Sequence, residues 1–312
     1  MPPATLEVIY RNAHLIYNPN AGKLVKDATL AERVRAVLQQ GGLEVRMTPT
    51  AAPGHATALA SAAVRDCADL VIAMGGDGTV NEVLNGMTPA EAPLAVIPGG
   101  TANVFCCETG IPRNAEKAAR QLPEWVARRV ALGCVRPAGD GEPRHFLSMA
   151  GAGLDAGIVQ RVEPGTKRRL GKLAYWIAGL RAFGENLAIL QVRSEGREML
   201  TGFALVSRVR NYGGDLTIAS QASLFEDRFE LVTFAGGSTV PYGIYLAGAV
   251  VACATKLPGV QSVLTQKVEL TKLSGGRPIY LQVDGEAAGE LPVSVELVPS
   301  ALTVLVPRRA IK

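Results

Sequence analysis

The chain has 312 residues, 48% apolar, 19% charged and 5% aromatic, and its 32 basic against 28 acidic residues leave a net charge of +4. That apolar content excludes a disordered chain, and so mild a charge excludes a dedicated nucleic-acid binder. The length suits two domains, each large enough to bury a core.

From the N-terminus, residues 14–17 form a short apolar strand stopped by Asn18-Pro19-Asn20-Ala21-Gly22. Leu30, Val34, Val37 and Leu38 recur at helical spacing until Gly41-Gly42. Residues 43–47 read as a strand, and Ala56, Leu59, Ala60, Ala63 and Val64 as a second helical stripe. Residues 69–74 and 93–98 are unbroken apolar runs, as strands buried on both faces are. Alternation of such strands with helices predicts a parallel α/β sheet. A cluster of Gly133, Pro137, Gly139, Gly141 and Pro143 marks a domain boundary, drawn between 134 and 135. Beyond it, a helical segment at 167–183 precedes β-like runs at 187–192, 203–209, 229–234, 267–273, 279–283 and 293–298, the pattern of a β-rich second domain over 135–300.

The longest uncharged run, 231–255, is broken by Gly236-Gly237-Ser238-Thr239 and Pro241. Its clean apolar part, 244–254, is shorter than the ~20 residues a spanning helix needs. We therefore expect a strand plus a helix and no transmembrane segment. The N-terminal residues lack the pattern of a signal peptide, so a cytoplasmic protein is expected. Five cysteines without a C-x-x-C pair and three scattered histidines point away from a disulfide framework, a zinc site or a histidine triad.

Three turns carry the chemistry. Gly75-Gly76-Asp77-Gly78-Thr79-Val80-Asn81-Glu82 follows a buried strand and opens a helix, where glycines let backbone N–H groups approach an anion and the helix dipole favours phosphate. Pro98-Gly99-Gly100-Thr101-Ala102-Asn103 and Asn18-Pro19-Asn20-Ala21-Gly22 follow neighbouring strands. In an open parallel sheet all three meet at the carboxyl edge, where ligands bind.

In this order these motifs resemble those of the diacylglycerol kinase catalytic domain, a lipid kinase family that also includes sphingosine and ceramide kinases. Similarity continues through Gly151-Ala-Gly-Leu-Asp-Ala, Arg169-Leu-Gly-Lys-Leu-Ala-Tyr, Asn211-Tyr-Gly-Gly and Val283-Asp-Gly-Glu, so it spans nearly the whole chain. The resemblance implies ATP- and magnesium-dependent phosphorylation of a lipid hydroxyl at a membrane surface. It also implies a Rossmann-like, NAD kinase-like α/β domain followed by a β-sandwich, with residues 301–312 returning to the first domain. Carried over by position, Asn18, Pro19, Asn20, Ala21, Gly22, Thr50, Gly76, Asp77, Gly78, Thr79, Val80, Asn81, Glu82 and Thr101 hold the nucleotide, with Asp77 organising magnesium through water. Thr50 reads equally well as a helix N-cap. The proton acceptor is sought in Asp284-Gly285-Glu286: Glu286 is favoured, with Asp284 as alternative or metal-network member, and the pair also reads as a hairpin turn. Asp155 is the candidate for the lipid head group or a turn cap. At Glu226-Asp227-Arg228, family members carry Asp-Gly in a loop that helps bind a structural magnesium; here the glycine is missing, which puts metal binding by Glu226 and Asp227 in question. Lys167-Arg168-Arg169 reads as a solvated helix end or an attractor of anionic lipid. An NAD kinase-like phosphotransferase, a non-catalytic nucleotide or lipid sensor, and a homodimer stay open as alternatives.

Overall fold

The computed structural model describes residues 10–89, 91–153, 188–212, 216–235, 254–273 and 278–311. Its first part runs β1 (Asn12–Tyr17), α1 (Gly22–Lys26), α2 (Leu30–Gln40), β2 (Glu44–Pro49), α3 (His55–Arg65), β3 (Leu70–Gly75), α4 (Asp77–Met87), β4 (Leu94–Pro98), α5 (Val104–Thr109) and α6 (Ala115–Gln121). The strands pair in parallel in the order β2-β1-β3-β4. β3 and β4 are buried along their whole length, which is why they read as unbroken apolar runs. The stripe Ala31, Val34 and Leu38 is the buried face of α2, which ends at Gly41 because Gly42 turns the chain at φ +92°. α2 packs against α6, and α3 against α4; right-handed crossovers place these pairs on opposite faces of the sheet. α4 presses so closely on α3 that a Cβ at Gly86 would stand 2.2 Å from the Thr57 carbonyl oxygen.

Strand order reverses between β1, which leads outward to β2, and β3, which leads to β4. The carboxyl ends of β1 and β3 thus flank the crevice where ligands bind in open α/β sheets.

The second part comprises β5 (Val126–Pro137), β6 (Arg144–Phe146), β7 (Met149–Gly153), β8 (Leu190–Ser194), β9 (Arg197–Thr201), β10 (Phe203–Ser207), β11 (Asn211–Tyr212), β12 (Leu216–Thr217), β13 (Phe229–Phe234), β14 (Val260–Thr265), β15 (Lys267–Lys272), β16 (Tyr280–Val283), β17 (Glu286–Glu290) and β18 (Val293–Val306). One antiparallel sheet has the order β14-β13-β10-β7-β16-β17. It faces a layer of β5, β6, β8, β9, β15 and β18 across a core that includes Phe146, Val192, Val206, Phe229 and Leu281. The α/β fold followed by a β-sandwich is therefore the architecture of the molecule.

β18 joins the two parts. Residues 293–298 pair with β5 inside the sandwich; after an irregularity between Val298 and Leu302, residues 302–306 continue along β5 while Val304 pairs in parallel with Leu94 of β4. Gly133 and Pro137, read as linker residues, belong to β5. Gly133 is required there because a Cβ would stand 2.1 Å from the Phe146 ring. The expected helix at 167–183, residues 244–253 of the expected helix at 244–254, Asp155, and the motifs at 169–175 and 213–214 lie outside the described residues, as do residues 167–169. Of the uncharged run 231–255, the expected strand is present as β13. Among the described residues, no helix is long and apolar enough to cross a membrane.

Candidate functional site

The three turns meet at the crevice. Asn18 ties the first to the second: its backbone N–H donates to the Met74 carbonyl at 3.0 Å and its Nδ2 to Thr79 Oγ1 at 3.3 Å. The second and third turns touch backbone to backbone. The N–H groups of Gly99 and Gly100 both donate to the Gly75 carbonyl, at 2.9 and 2.8 Å, and a Cβ at Gly100 would lie 2.5 Å from the Gly76 α-carbon. A Cβ at Gly22 would lie 3.1 Å from Thr101 Oγ1, so the first and third turns also converge. Side chains are excluded where the turns approach each other, which leaves a shallow backbone cradle suited to phosphate groups.

Asp77 opens α4 and accepts from the N–H groups of Asn103 (3.1 Å) and Val104 (2.7 Å), so it caps α5 across the cradle. Burial pushes its carboxyl up to about 6, against the pull of the Val104 amide, and the neighbouring Asp284 charge adds to the rise. A carboxylate accepts up to four hydrogen bonds, so Asp77 retains acceptor capacity. Among the described residues, no cluster of three or more His, Cys, Asp or Glu side chains forms a metal cage. One carboxylate beside a phosphate cradle instead fits magnesium, which binds through one or two carboxylates plus substrate phosphates.

Thr50 follows β2, its N–H donating to the Tyr17 carbonyl at 2.8 Å. It is not the cap of α3: that position belongs to Gly54, at φ +81°. Two residues expected on the nucleotide are engaged elsewhere. Glu82 accepts from the Ala56 N–H at 3.1 Å and so serves the first turn of α3. Asn81 is buried, and its Nδ2 donates to the His145 carbonyl (3.0 Å) and to Asp284 Oδ2 (2.9 Å). Its Oδ1 accepts from Nε (3.1 Å) and Nη2 (2.8 Å) of Arg144, so both ends of the amide serve the contact between the two parts.

Asp284 and Gly285, at φ +48° and +82°, form the type I′ tip of the β16–β17 hairpin, so the turn reading of this motif holds as well. The Asp284 carboxylate is buried and accepts four hydrogen bonds: from Asn81, from Leu147 N (3.1 Å), from Ser148 N (3.0 Å) and from Met149 N (2.9 Å). Burial raises its carboxyl while the four donors oppose that rise. With every acceptor position engaged it is a fixture of the fold rather than a free base.

Glu286 differs. A Cβ at Gly78 would meet Glu286 Oε1 at 1.9 Å, so the carboxylate rests against the glycine turn itself. It is partly exposed, and Oε2 pairs with Arg144 Nη2 at 3.2 Å. Arg144 also donates to the Ala287 carbonyl at 3.4 Å. Sequence reasoning missed Arg144, a single basic residue after a Pro-containing turn.

In the loop at 224–228 much of the oxygen lining has protein partners. The Glu226 carboxylate is clasped by Nε and Nη2 of Arg228, each at 2.5 Å. From inside the protein, Arg208, fully buried, donates to the carbonyls of Leu224 (2.5 Å) and Glu226 (3.2 Å). Burial lowers its guanidinium to about 10, so it stays charged at neutral pH. The Asp227 carbonyl accepts from Gln266 Nε2 at 2.8 Å. Glu226 Oε2 and the Leu224, Glu226 and Asp227 carbonyls are thus taken by guanidinium and amide donors, and magnesium at Glu226 and Asp227 stays a proposal.

A parallel α/β sheet with three glycine-rich turns at its switch point, joined to a β-sandwich whose hairpin brings a carboxylate to one of them, is the class of fold that the chain adopts. Comparison with known proteins narrows this. Residues 12–135 match the family model described as diacylglycerol kinase catalytic domain, and residues 148–306 that of the YegS C-terminal NAD kinase beta sandwich-like domain. The diacylglycerol kinase of Bacillus subtilis (strain 168) is 32% identical over 292 residues, covering 90% of this chain and 92% of that one. That of Staphylococcus aureus (strain JH9) is 28% identical over 290 residues, covering 91% and 89%. A crystal structure from Bacillus anthracis str. Sterne shares the fold, with a TM-score of 0.81 at 22% identity over 99% of both chains. The chain belongs to the diacylglycerol kinase family.

Proposed function

We propose that this chain transfers the γ-phosphate of ATP to a hydroxyl of a lipid such as diacylglycerol or a sphingoid base, working in the cytoplasm at a membrane surface. The observation that carries the reading is the Glu286 carboxylate lying against Gly78, where an acceptor hydroxyl would meet a phosphate held in the cradle. The family relatives support a lipid kinase rather than an NAD kinase or a sensor.

Residues 1–134 with 301–312 serve as the nucleotide half, and 135–300 as the lipid half. Asn18 to Gly22, Gly76 to Thr79 and Thr101 cradle the phosphates, and Thr50 faces the nucleotide from the next strand end. Asp77 would hold magnesium through water, and the metal would supply neutralisation of phosphate charge. Glu286 accepts the proton of the attacking hydroxyl, the geometry and residue type that general-base catalysis requires. Asp284 keeps the hairpin tip in place so that Glu286 reaches the glycine turn. Positioning and charge neutralisation then carry most of the rate, because phosphoryl transfer needs little covalent help.

The test is mass spectrometry of a total lipid extract incubated with the purified protein, magnesium and ATP, with NAD as control acceptor. New phosphorylated lipid species are expected. Phosphorylated NAD with an unchanged lipid profile would overturn the reading.

A further inference from the structure

Arg144 is the one basic side chain that touches Glu286 among the described contacts, and its surroundings fix it from two directions. Nε and Nη2 both grip Asn81 Oδ1, at 3.1 and 2.8 Å, and Nη2 reaches Glu286 Oε2 at 3.2 Å. Asn81 is held by α4, and its amide cannot flip: Nδ2 must face the acceptors Asp284 Oδ2 and the His145 carbonyl, which turns Oδ1 toward the guanidinium. Asn85 adds a second staple, donating to the His145 carbonyl at 2.9 Å and accepting from the His145 N–H at 2.9 Å. The fork of Arg144 is therefore anchored on the glycine-turn helix at one end and presents a donor to the hairpin carboxylate at the other.

Among the described residues, Arg144 is the hydrogen-bond donor to the Glu286 carboxylate. Its residue is the first of β17, at the sheet edge, and its side chain is 36% exposed. A glutamate with three rotatable bonds in that setting samples several rotamers, and a loosely held base loses about 10- to 100-fold in rate for a displacement of about 1 Å. A planar, bidentate-capable arginine is suited to this task where a lysine point charge is not.

We infer that Arg144 is a positioning residue that aims the Glu286 carboxylate at the glycine turn, linking the base to the helix that opens the phosphate cradle. This rests on Glu286 being the proton acceptor. Arg144 acts through Glu286, so its removal leaves the nucleotide cradle of residues 18–22, 76–79 and 101 intact.

The experiment is a double-mutant cycle of wild type, Arg144→Met, Glu286→Gln and the double variant, with Arg144→Lys as the conservative replacement. Each is assayed for lipid phosphorylation and thermal melting, and the Arg144→Met crystal structure is determined. Expected are a 10- to 100-fold lower kcat in Arg144→Met with KM for ATP within twofold, partial recovery in Arg144→Lys, and no further loss when Arg144→Met is added to Glu286→Gln. The crystal structure should show Glu286 displaced from Gly78 with Asp284 unmoved. The inference is overturned if Arg144→Met lowers the residual rate of Glu286→Gln as much as it lowers that of wild type, or if Glu286 keeps its place in the crystal. Full activity in Glu286→Gln would instead overturn the reading of Glu286 as the base, a result that the crystallographic arm separates from a failure of the positioning contact.

Discussion

Two turns of the β-rich half carry adjacent acidic groups, Asp284-Gly285-Glu286 and Glu226-Asp227-Arg228, and the fold uses them in opposite ways. At the first, one carboxylate is buried under four donors and the other is delivered to a glycine turn of the opposite domain. At the second, the carboxylate stays at the surface and is neutralised by its own neighbour, while a buried arginine holds the loop from behind. Acidity alone does not make a site. The difference lies in what faces each turn: α4 with Asn81 at one, Arg208 and the β13 entrance at the other. Charges that meet another domain acquire a fixed geometry, whereas charges that meet an adjacent arginine are merely balanced, a contribution of about 0–1 kcal/mol at an exposed position.

The strongest way to break this contrast is Asp284→Ala. It strands three backbone N–H groups and the Asn81 amide in a buried setting, at about 3–5 kcal/mol of stability, read as a lowered midpoint in urea unfolding. A midpoint within experimental error of wild type would show that the hairpin tip is held by something else.

Next in size is the pH response of Asp77. Its carboxyl is raised from 3.8 to about 6 in the folded protein. A raised acid contributes stability that is fully present below about pH 4 and lost as pH rises through about 6, because the native state gives up its proton last. Ligand-free protein should therefore be up to about 3 kcal/mol less stable at pH 7 than at pH 4 through this group, superimposed on the other titrations. Asp77→Asn should remove that component of the melting-temperature profile; an identical profile in the variant contradicts the assignment.

Gly78→Ala sharpens the comparison at lower cost. The new methyl meets the far end of a flexible glutamate, so the protein should melt within a few degrees of wild type while Glu286 is pushed off the turn. Lipid phosphorylation is expected to fall about tenfold, and an undiminished rate would separate Glu286 from the glycine turn. The smallest effect is expected from Glu226→Gln: activity within twofold, and a melting temperature that does not change with added magnesium or EDTA in either protein. A saturable, magnesium-dependent rise in wild type that is lost in Glu226→Gln would restore a metal to this loop.

What the sequence makes legible follows from range. The glycine turns announce themselves because close backbone approach imposes residue type directly, and β3 and β4 because strands buried on both faces must be apolar throughout. Other elements lack a local signal. β7 reads Met-Ala-Gly-Ala-Gly and β17 Glu-Ala-Ala-Gly-Glu, and their pairing with β16 makes them strands against weak intrinsic preference. The Asn81–Asp284 bond spans 203 positions, and the Arg144–Glu286 pair 142. No periodicity encodes such partners, so the bonds by which Asn81 and Glu82, both expected on the nucleotide, brace β6 and α3 have no local signal. The same distance hides Arg208, which holds the 224–228 loop through the Leu224 and Glu226 carbonyls.

The central claim is that the β16–β17 hairpin supplies the proton acceptor to a phosphate cradle in the other domain. Transfer of labelled γ-phosphate from ATP to dispersed diacylglycerol and sphingoid bases, compared between wild type and Glu286→Gln, tests it most directly. The account predicts phosphorylated lipid from wild type and a loss of about 10²- to 10⁴-fold in the variant with ATP binding retained. Equal rates in the two proteins would contradict it.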